Sequence, residues 1–467
     1  MIDSGNPGPD ELTIRPDEQA TAMRANDPSE LPPDLSRRQF LGAVGAGAIL
    51  ATRKVAVHRP TAKKAGTTLA PSSPATSTTA GTAPAVPLPT ATAVRVPATP
   101  GVLVVVTLYG GNDGLNTVIP LDAGPYIQGR GALAYTGAEA IALGDGLGLH
   151  PALTGLKTLW DRRQLAIIRG VGYPNPSRSH FRSQDIWQSA APSTYVSTGW
   201  LGRWYDTAGN DPLGMVAVAS SIPRSMVGAK GSAVVVPVGN VRSSISPDQA
   251  RGVEIMSRLD DSLGVLASRV RTDAADLGRV DTVFGPMLAG QASTTITAAS
   301  LEPGAANRAA NELDLQLNVV ARLIRAGAPT RVYAVSLGGF DTHANEKANH
   351  ARLMGIVDQA LNSFVNLMSQ DQASQNVTLM VTSEFGRRLA ANGSGGTDHG
   401  TAAPVFVMGP KVKGGFYGDQ PSLTDLDQGD LKFTTDFRAV YATILAGVLG
   451  ADPGVAIDAP FPNIGFV

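Results

Sequence analysis

Apolar residues run without a break through Val102-Leu103-Val104-Val105-Val106-Thr107-Leu108, a stretch rich in β-branched side chains. A strand with one wet face alternates apolar and polar positions. A continuous run therefore predicts a strand covered on both faces, as in a parallel sheet. Leu165 to Ile168, Arg331 to Leu337, Val377 to Thr382 and Pro404 to Met408 repeat the pattern. Between them the apolar spacing becomes helical. Leu313, Leu317, Val320 and Ile324 share one face, with Gly327 placed to stop the helix. Leu353, Val357, Ala360, Phe364 and Met368 form a second stripe within a helix over residues 346–368, and a last helix is expected over 437–449. Helices alternating with buried strands predict an α/β doubly wound, mostly parallel sheet over residues 101–467. The segment from about 205 to 300 breaks the alternation, with Val234 to Val238, a helix around 254–277 and several Gly, Ser and Pro interruptions. It is expected to be an insertion lying over one edge of the sheet, a cap.

Residues ahead of that domain follow no such pattern. Residues 1–35 are polar and rich in Pro, Asp and Glu, too poor in apolar surface to order themselves. Ser36-Arg37-Arg38-Gln39-Phe40-Leu41 then precedes a small-residue apolar run, Gly42 to Ala51. A paired arginine before a mildly hydrophobic segment predicts a twin-arginine export signal over residues 36–58, read by the twin-arginine machinery. The run is far shorter than the ~20 residues of a stable membrane-spanning helix. Residues 59–100, dominated by Thr, Ala, Pro and Ser, are expected to be a linker. The expected location is periplasmic, cell-surface or extracellular.

Charge and composition narrow the chemistry. A formal net charge of -1 gives no electrostatic basis for nucleic acid or an anionic membrane as main partner. Cysteine is absent, so a metal must be held by oxygen or imidazole. Only six histidines occur, which makes their placement informative. In open α/β sheets, ligands bind beyond the carboxyl ends of the strands. The first strand delivers Asn112 and Asp113; the strand ending at Leu337 delivers Asp341 and His343; the next delivers Glu384 and Arg387. His399 lies in the loop before the last strand. Acids and imidazoles at four loops around one sheet edge match zinc, manganese, magnesium or calcium. Ser177-Arg178-Ser179-His180 follows a strand and precedes a helix, where backbone N–H groups can hold an anion. Ser179 or Ser177 is a candidate metal-activated hydroxyl, and Ser179 can equally be a helix N-cap. His180 is a poor base for Ser179, because adjacent helical side chains diverge.

The order of these residues resembles that of the alkaline-phosphatase superfamily, and more closely the bacterial domain of unknown function 1501 family. The likeness is carried by Tyr109 to Asn116, Ser177-Arg178-Ser179-His180-Phe181, Gly339-Phe340-Asp341-Thr342-His343, Ser383-Glu384-Phe385-Gly386-Arg387 and Thr435-Asp436-Phe437-Arg438. It implies a sheet of the alkaline-phosphatase type, with one metal on Asp113 and Glu384 and another on Asp341, His343 and His399. Two departures stand out: Asp341 and His343 are closer together than the corresponding pair, and Glu384-Phe385 replaces an Asp-His pair. Pro176-Ser177-Arg178 resembles the sulfatase motif, but Pro174 occupies the position of the oxidised Cys or Ser, which excludes that mechanism. The expected function is an exported, metal-dependent hydrolase of phosphate or related esters. Arg178 or Arg387 would neutralise a small anionic ester. The alternative is a non-catalytic exported binding or assembly protein that keeps the fold and a structural metal.

Overall fold

The computed structural model describes residues 101–467 apart from 210, 232, 238–246, 261, 263, 289–305 and 371–373. The expected N-terminal extension, export signal and linker (1–35, 36–58 and 59–100) lie outside the described residues.

Where the apolar runs were continuous, strands form. They are β1 (Val102–Leu108), β2 (Leu165–Gly172), β3 (Met215–Ala217), β4 (Val234–Val235), β5 (Val332–Leu337) and β6 (Val377–Ser383). After these come β7 (Arg387–Ala391), β8 (Thr397–His399), β9 (Ala403–Met408), β10 (Gly415–Tyr417) and β11 (Thr435–Asp436). The central sheet has the order β10-β2-β9-β6-β1-β5-β3-β4, with β11 also pairing with β2. Every strand in it runs the same way except β9, which is antiparallel to both β2 and β6. A parallel return from β6 would need a helical crossover. Here the chain instead comes back through the β7–β8 hairpin, in which Arg387 pairs with His399 and Ala391 with Thr397. The segment expected as a loop before the last strand is thus one arm of a hairpin.

Helices cover both faces, giving the doubly wound arrangement. They are α1 (Gly114–Thr117), α2 (Gly124–Arg130), α3 (Thr154–Asp161), α4 (His180–Ser189) and α5 (Trp200–Ala208). The chain continues with α6 (Pro247–Met256), α7 (Val265–Leu288), α8 (Ala306–Arg325), α9 (Glu346–Ser369) and α10 (Phe437–Ile444). Alternation along β1 sends Val104, Val106 and Leu108 into a core shared with α3, α8 and α9. Leu103 and Val105 enter the opposite core with α4, α5 and α10. Gly327 at φ +79° follows the end of α8, a conformation that stops a helix at little cost for glycine. No described helix is long and apolar enough to cross a membrane.

The expected cap resolves differently. Its early part supplies β3 and β4, which extend the central sheet beside β5. Its single expected helix is two, α6 and α7, and Phe284 and Leu288 at the end of α7 enter the core beside α8. A second, three-stranded sheet (118–120, 141–144 and 147–149) follows β1 and carries α2 in the connection between its first two strands.

Candidate metal centre

The carboxyl ends of β1, β2, β5 and β6 open on one edge of the sheet. Beyond it lie Asp341 and His343 after β5, Glu384 after β6, His399 at the end of β8, and His180 as the first residue of α4. One donor atom from each of His180, Asp341 and His399 lies within 4.8 Å of the others. His399 Nε2 is 3.0 Å from Asp341 Oδ1 and 3.0 Å from His343 Nε2. His343 Nε2 is in turn 3.1 Å from Asp341 Oδ1, and His180 Nε2 is 3.5 Å from Asp341 Oδ2.

The far nitrogens of these rings decide what faces inward. Glu384 Oε1 accepts from the Gly110 N–H at 2.9 Å and from Gln184 Nε2 at 3.3 Å, so the His180 Nδ1 contact at 2.7 Å is a third donor to the same oxygen. His399 Nδ1 stands 2.8 Å from the Arg178 backbone carbonyl, which can only accept. His343 Nδ1 faces Asp398 Oδ1 at 3.4 Å. Each ring, protonated at Nδ1, turns an Nε2 lone pair toward Asp341. His180 Nε2 is buried with no hydrogen-bond partner among the described residues. Burial pushes the Asp341 carboxyl up, but Arg387, donating at 2.7 Å, leads the groups that hold it down at about 2. A carboxylate and three imidazole lone pairs facing inward repel unless a proton or a cation lies among them. Metal–ligand bonds of about 2.0–2.2 Å set neighbouring donors roughly 3 Å apart, the spacing seen here. His180, Asp341 and His399 fit a divalent metal, and the inward nitrogen of each of the two rings has the outer acceptor that metal-ligating histidines need; His343 meets Asp341 and His399 but lies outside the group whose donors are all within 4.8 Å of one another.

Several residues expected in the site do other work. Asp113 is fully buried; Arg130 donates to its Oδ2 at 2.5 Å and its Oδ1 at 2.6 Å. Its Oδ1 also caps α1, accepting from the N–H groups of Leu115 at 3.2 Å and Asn116 at 3.4 Å. With both oxygens committed to Arg130, Asp113 is no metal ligand in this arrangement. Glu384 reaches the centre through His180. Its Oε1 is taken up by three donors and its Oε2 accepts from Ser383 at 3.2 Å, so neither Asp113 nor Glu384 presents a free oxygen to the metal expected between them.

The two arginines are also occupied. Arg178 binds the buried carboxylate of Asp430, with Nε at 2.7 Å and Nη2 as a second donor, so only its backbone carbonyl serves the cluster. Arg387 is buried and gives its N–H groups to the carbonyls of Gly110, Gly111, Phe340 and Thr397 and to Asp341. It clamps the strand-end loops together instead of facing a substrate.

Ser179 occupies the N-cap position of α4, but its side chain makes no capping hydrogen bond and is exposed. Ser177 Oγ accepts from the Ser179 N–H at 3.3 Å. His180 carries no ligand role in the sequence expectations. Its signal was the scarcity of histidine combined with its place at a strand-to-helix junction.

No curated protein matches the chain. Among solved structures, similarity is found to a protein in the alkaline phosphatase superfamily from Vibrio parahaemolyticus, with 11% identity over 78% of this chain and 71% of that one and a TM-score of 0.38. The PsFucS1 sulfatase from Pseudoalteromonas sp. is similar at 11% identity, 79% and 72% coverage and a TM-score of 0.38. The alkaline phosphatase from the Antarctic bacterium TAB5 is similar at 13%, with 67% and 92% coverage and a TM-score of 0.32. A family model described as protein of unknown function, DUF1501, matches residues 170–454, more than half of the chain. That stretch contains His180, Asp341, His343, Glu384 and His399 and leaves out Asp113. The chain belongs to the DUF1501 family.

Proposed function

We propose that this protein is an exported, metal-dependent hydrolase of phosphate or related esters. The observation that carries the reading is the convergence of His180, His343 and His399 on Asp341. A donor set of two imidazoles and one carboxylate, with the His343 imidazole beside it, favours zinc over magnesium or calcium, which prefer all-oxygen shells. A divalent cation held there supplies a Lewis acid that polarises an ester oxygen and favours the deprotonated form of a nearby hydroxyl.

The chain's own groups do the rest. Arg178 O contacts His399 and the His180 ring contacts Glu384, so both neighbours of Ser179 touch the centre and hold its backbone beside it. The Ser179 hydroxyl, exposed and uncapped, is the candidate nucleophile. The first N–H groups of α4 have no partner within the helix and can donate to an oxyanion. Arg178 and Arg387 do not neutralise it, since internal acceptors occupy them. That occupation favours one alternative, a non-catalytic exported protein that keeps a structural metal for binding or assembly. A screen of phosphomonoesters, phosphodiesters and sulfate esters on purified, metal-loaded protein separates the two.

Ser179→Ala is expected to lower ester hydrolysis by roughly three orders of magnitude or more while metal content stays the same. Because no capping bond is lost, the melting temperature should hold, where a true N-cap would cost about 1 kcal/mol. Undiminished turnover in this variant would leave water as the attacking group. The export half rests on Arg37 and Arg38. Replacing both with lysine keeps the charge and removes the pair that the receptor reads, so precursor should accumulate in the cytoplasm. Normal export of that variant, followed by cell fractionation, would remove the localisation.

A further inference from the structure

Phe385 belongs to two features at once. Its ring centroid lies 4.8 Å from that of His180 and 4.8 Å from that of His399, and the same side chain lines a cavity of about 360 Å³. Tyr173, Pro176, Ser177, Trp187 and Phe433 form further parts of the wall. That volume falls in the range of small-molecule sites, about 300–1,000 Å³. The wall is assembled closely. At Gly172 an added Cβ would stand 2.7 Å from Phe433 Cβ, so glycine there lets the Phe433 ring sit against the end of β2. The loop from Tyr173 to Ser177 joins this cavity to Ser179 and His180 at the metal centre.

We propose that the cavity binds the alcohol portion of the ester, a flat aromatic group, a substrate class that rests on the hydrolase reading above. Four aromatic side chains, Tyr173, Trp187, Phe385 and Phe433, contribute to the wall, and aromatic rings pair with one another in offset-stacked or edge-to-face contacts. Phe385 carries the contact from the bound ring to the imidazoles that face Asp341.

Titration calorimetry of the full, metal-loaded protein with 2-naphthol tests the cavity without requiring turnover. Binding is expected in the wild type and should weaken at least tenfold in Phe433→Ala. Phe433 is partly exposed, so the fold should tolerate its truncation; Trp187→Phe, which keeps a smaller ring in the wall, is the second variant. No binding to the wild type, or equal binding to all three proteins, overturns the proposal. In parallel, the kcat/KM for 1-naphthyl phosphate should fall at least tenfold in Phe433→Ala while that for methyl phosphate holds. Equal changes for the two esters also overturn it. If 2-naphthol binds in a Phe433-dependent way and no ester is turned over, the hydrolase reading fails and the aromatic ligand class of the cavity stands.

Discussion

His180→Ala should release most of the bound metal and reduce ester hydrolysis to background while the protein stays folded. The ring is only partly buried and begins α4, so its loss opens no large void in either core. Its Nε2 is buried without a hydrogen-bond partner, 3.5 Å from Asp341 Oδ2. Glu384, itself held by Gly110 and Gln184, fixes the ring from behind. A nitrogen so oriented, with no hydrogen-bond partner among the described residues, is the one the proposed cation would take. Glu384→Gln keeps an acceptor oxygen and removes the charge; metal affinity should fall about 10–100-fold, the usual effect of an outer partner of a ligating histidine. Chelation of the wild type should lower its melting temperature, since a bound ion stabilises by about 2.7 kcal/mol at a hundredfold excess over Kd. Elemental analysis, with melting curves with and without chelator, reads all three. Asp113→Asn is the contrasting variant, because Arg130 and not metal sits on that carboxylate; its metal content should match the wild type. Equal metal content in His180→Ala and wild type would dissolve the centre.

Periodicity carried the sheet and its helices, because burial on both faces leaves a continuous apolar run and burial on one face of a helix leaves a stripe. β1, β5, β6, α8 and α9 were legible for that reason. The direction of β9 was not, since an apolar run reads the same either way and only the intervening hairpin reverses it. Nor were β3 and β4: runs of three and two residues are too short to separate from loop sequence. The edge of the sheet where acids collect was legible, but which acid is free was not. That depends on partners far along the chain, such as Arg130 seventeen positions from Asp113, and Asp430, 252 positions from Arg178. His180 was not legible as a candidate ligand, since what its ring faces depends on Glu384 and Asp341, far along the chain. Arg387 looked like an anion binder because a strand-end arginine usually faces solvent; four backbone carbonyls claim it instead.

Arg130→Ala should destabilise the fold by about 3–5 kcal/mol at neutral pH, the usual result of stripping one partner from a buried ion pair. Against a total of about 5–15 kcal/mol for a domain, that is a large share. The side chains of Arg130, Asp113 and Glu346 are all 0% exposed, so water cannot take over any lost contact. Burial alone would raise the Asp113 carboxyl; Arg130, the hydrogen bond from Glu346 and the nearby His350 together outweigh it and hold the group below the usual range. Glu346 goes the other way, raised first by burial and then by the charge of Asp113, so it stays protonated while its Oε2 accepts from Thr397 at 2.7 Å. The signs then separate. The contribution of Asp113 is present above its unfolded value, about 3.9, and is lost as the pH falls through the lower folded value. That of Glu346 is complete below about 4.3 and is lost as the pH rises toward its raised folded value. Without Arg130, Asp113 is left buried and unpaired, and protonation is the remaining way to neutralise it. The gap between wild type and Arg130→Ala should therefore be widest at neutral and alkaline pH and narrow in acid. Adding Asp113→Asn to Arg130→Ala should recover part of the loss, because the orphaned charge is gone. Glu346→Gln, with no proton to give up, should flatten the decline of stability above mildly acidic pH. Urea unfolding at several pH values measures all four proteins. A cost below about 1 kcal/mol for Arg130→Ala, the scale of an exposed pair, would mean that the Asp113 site is wetter than its burial implies.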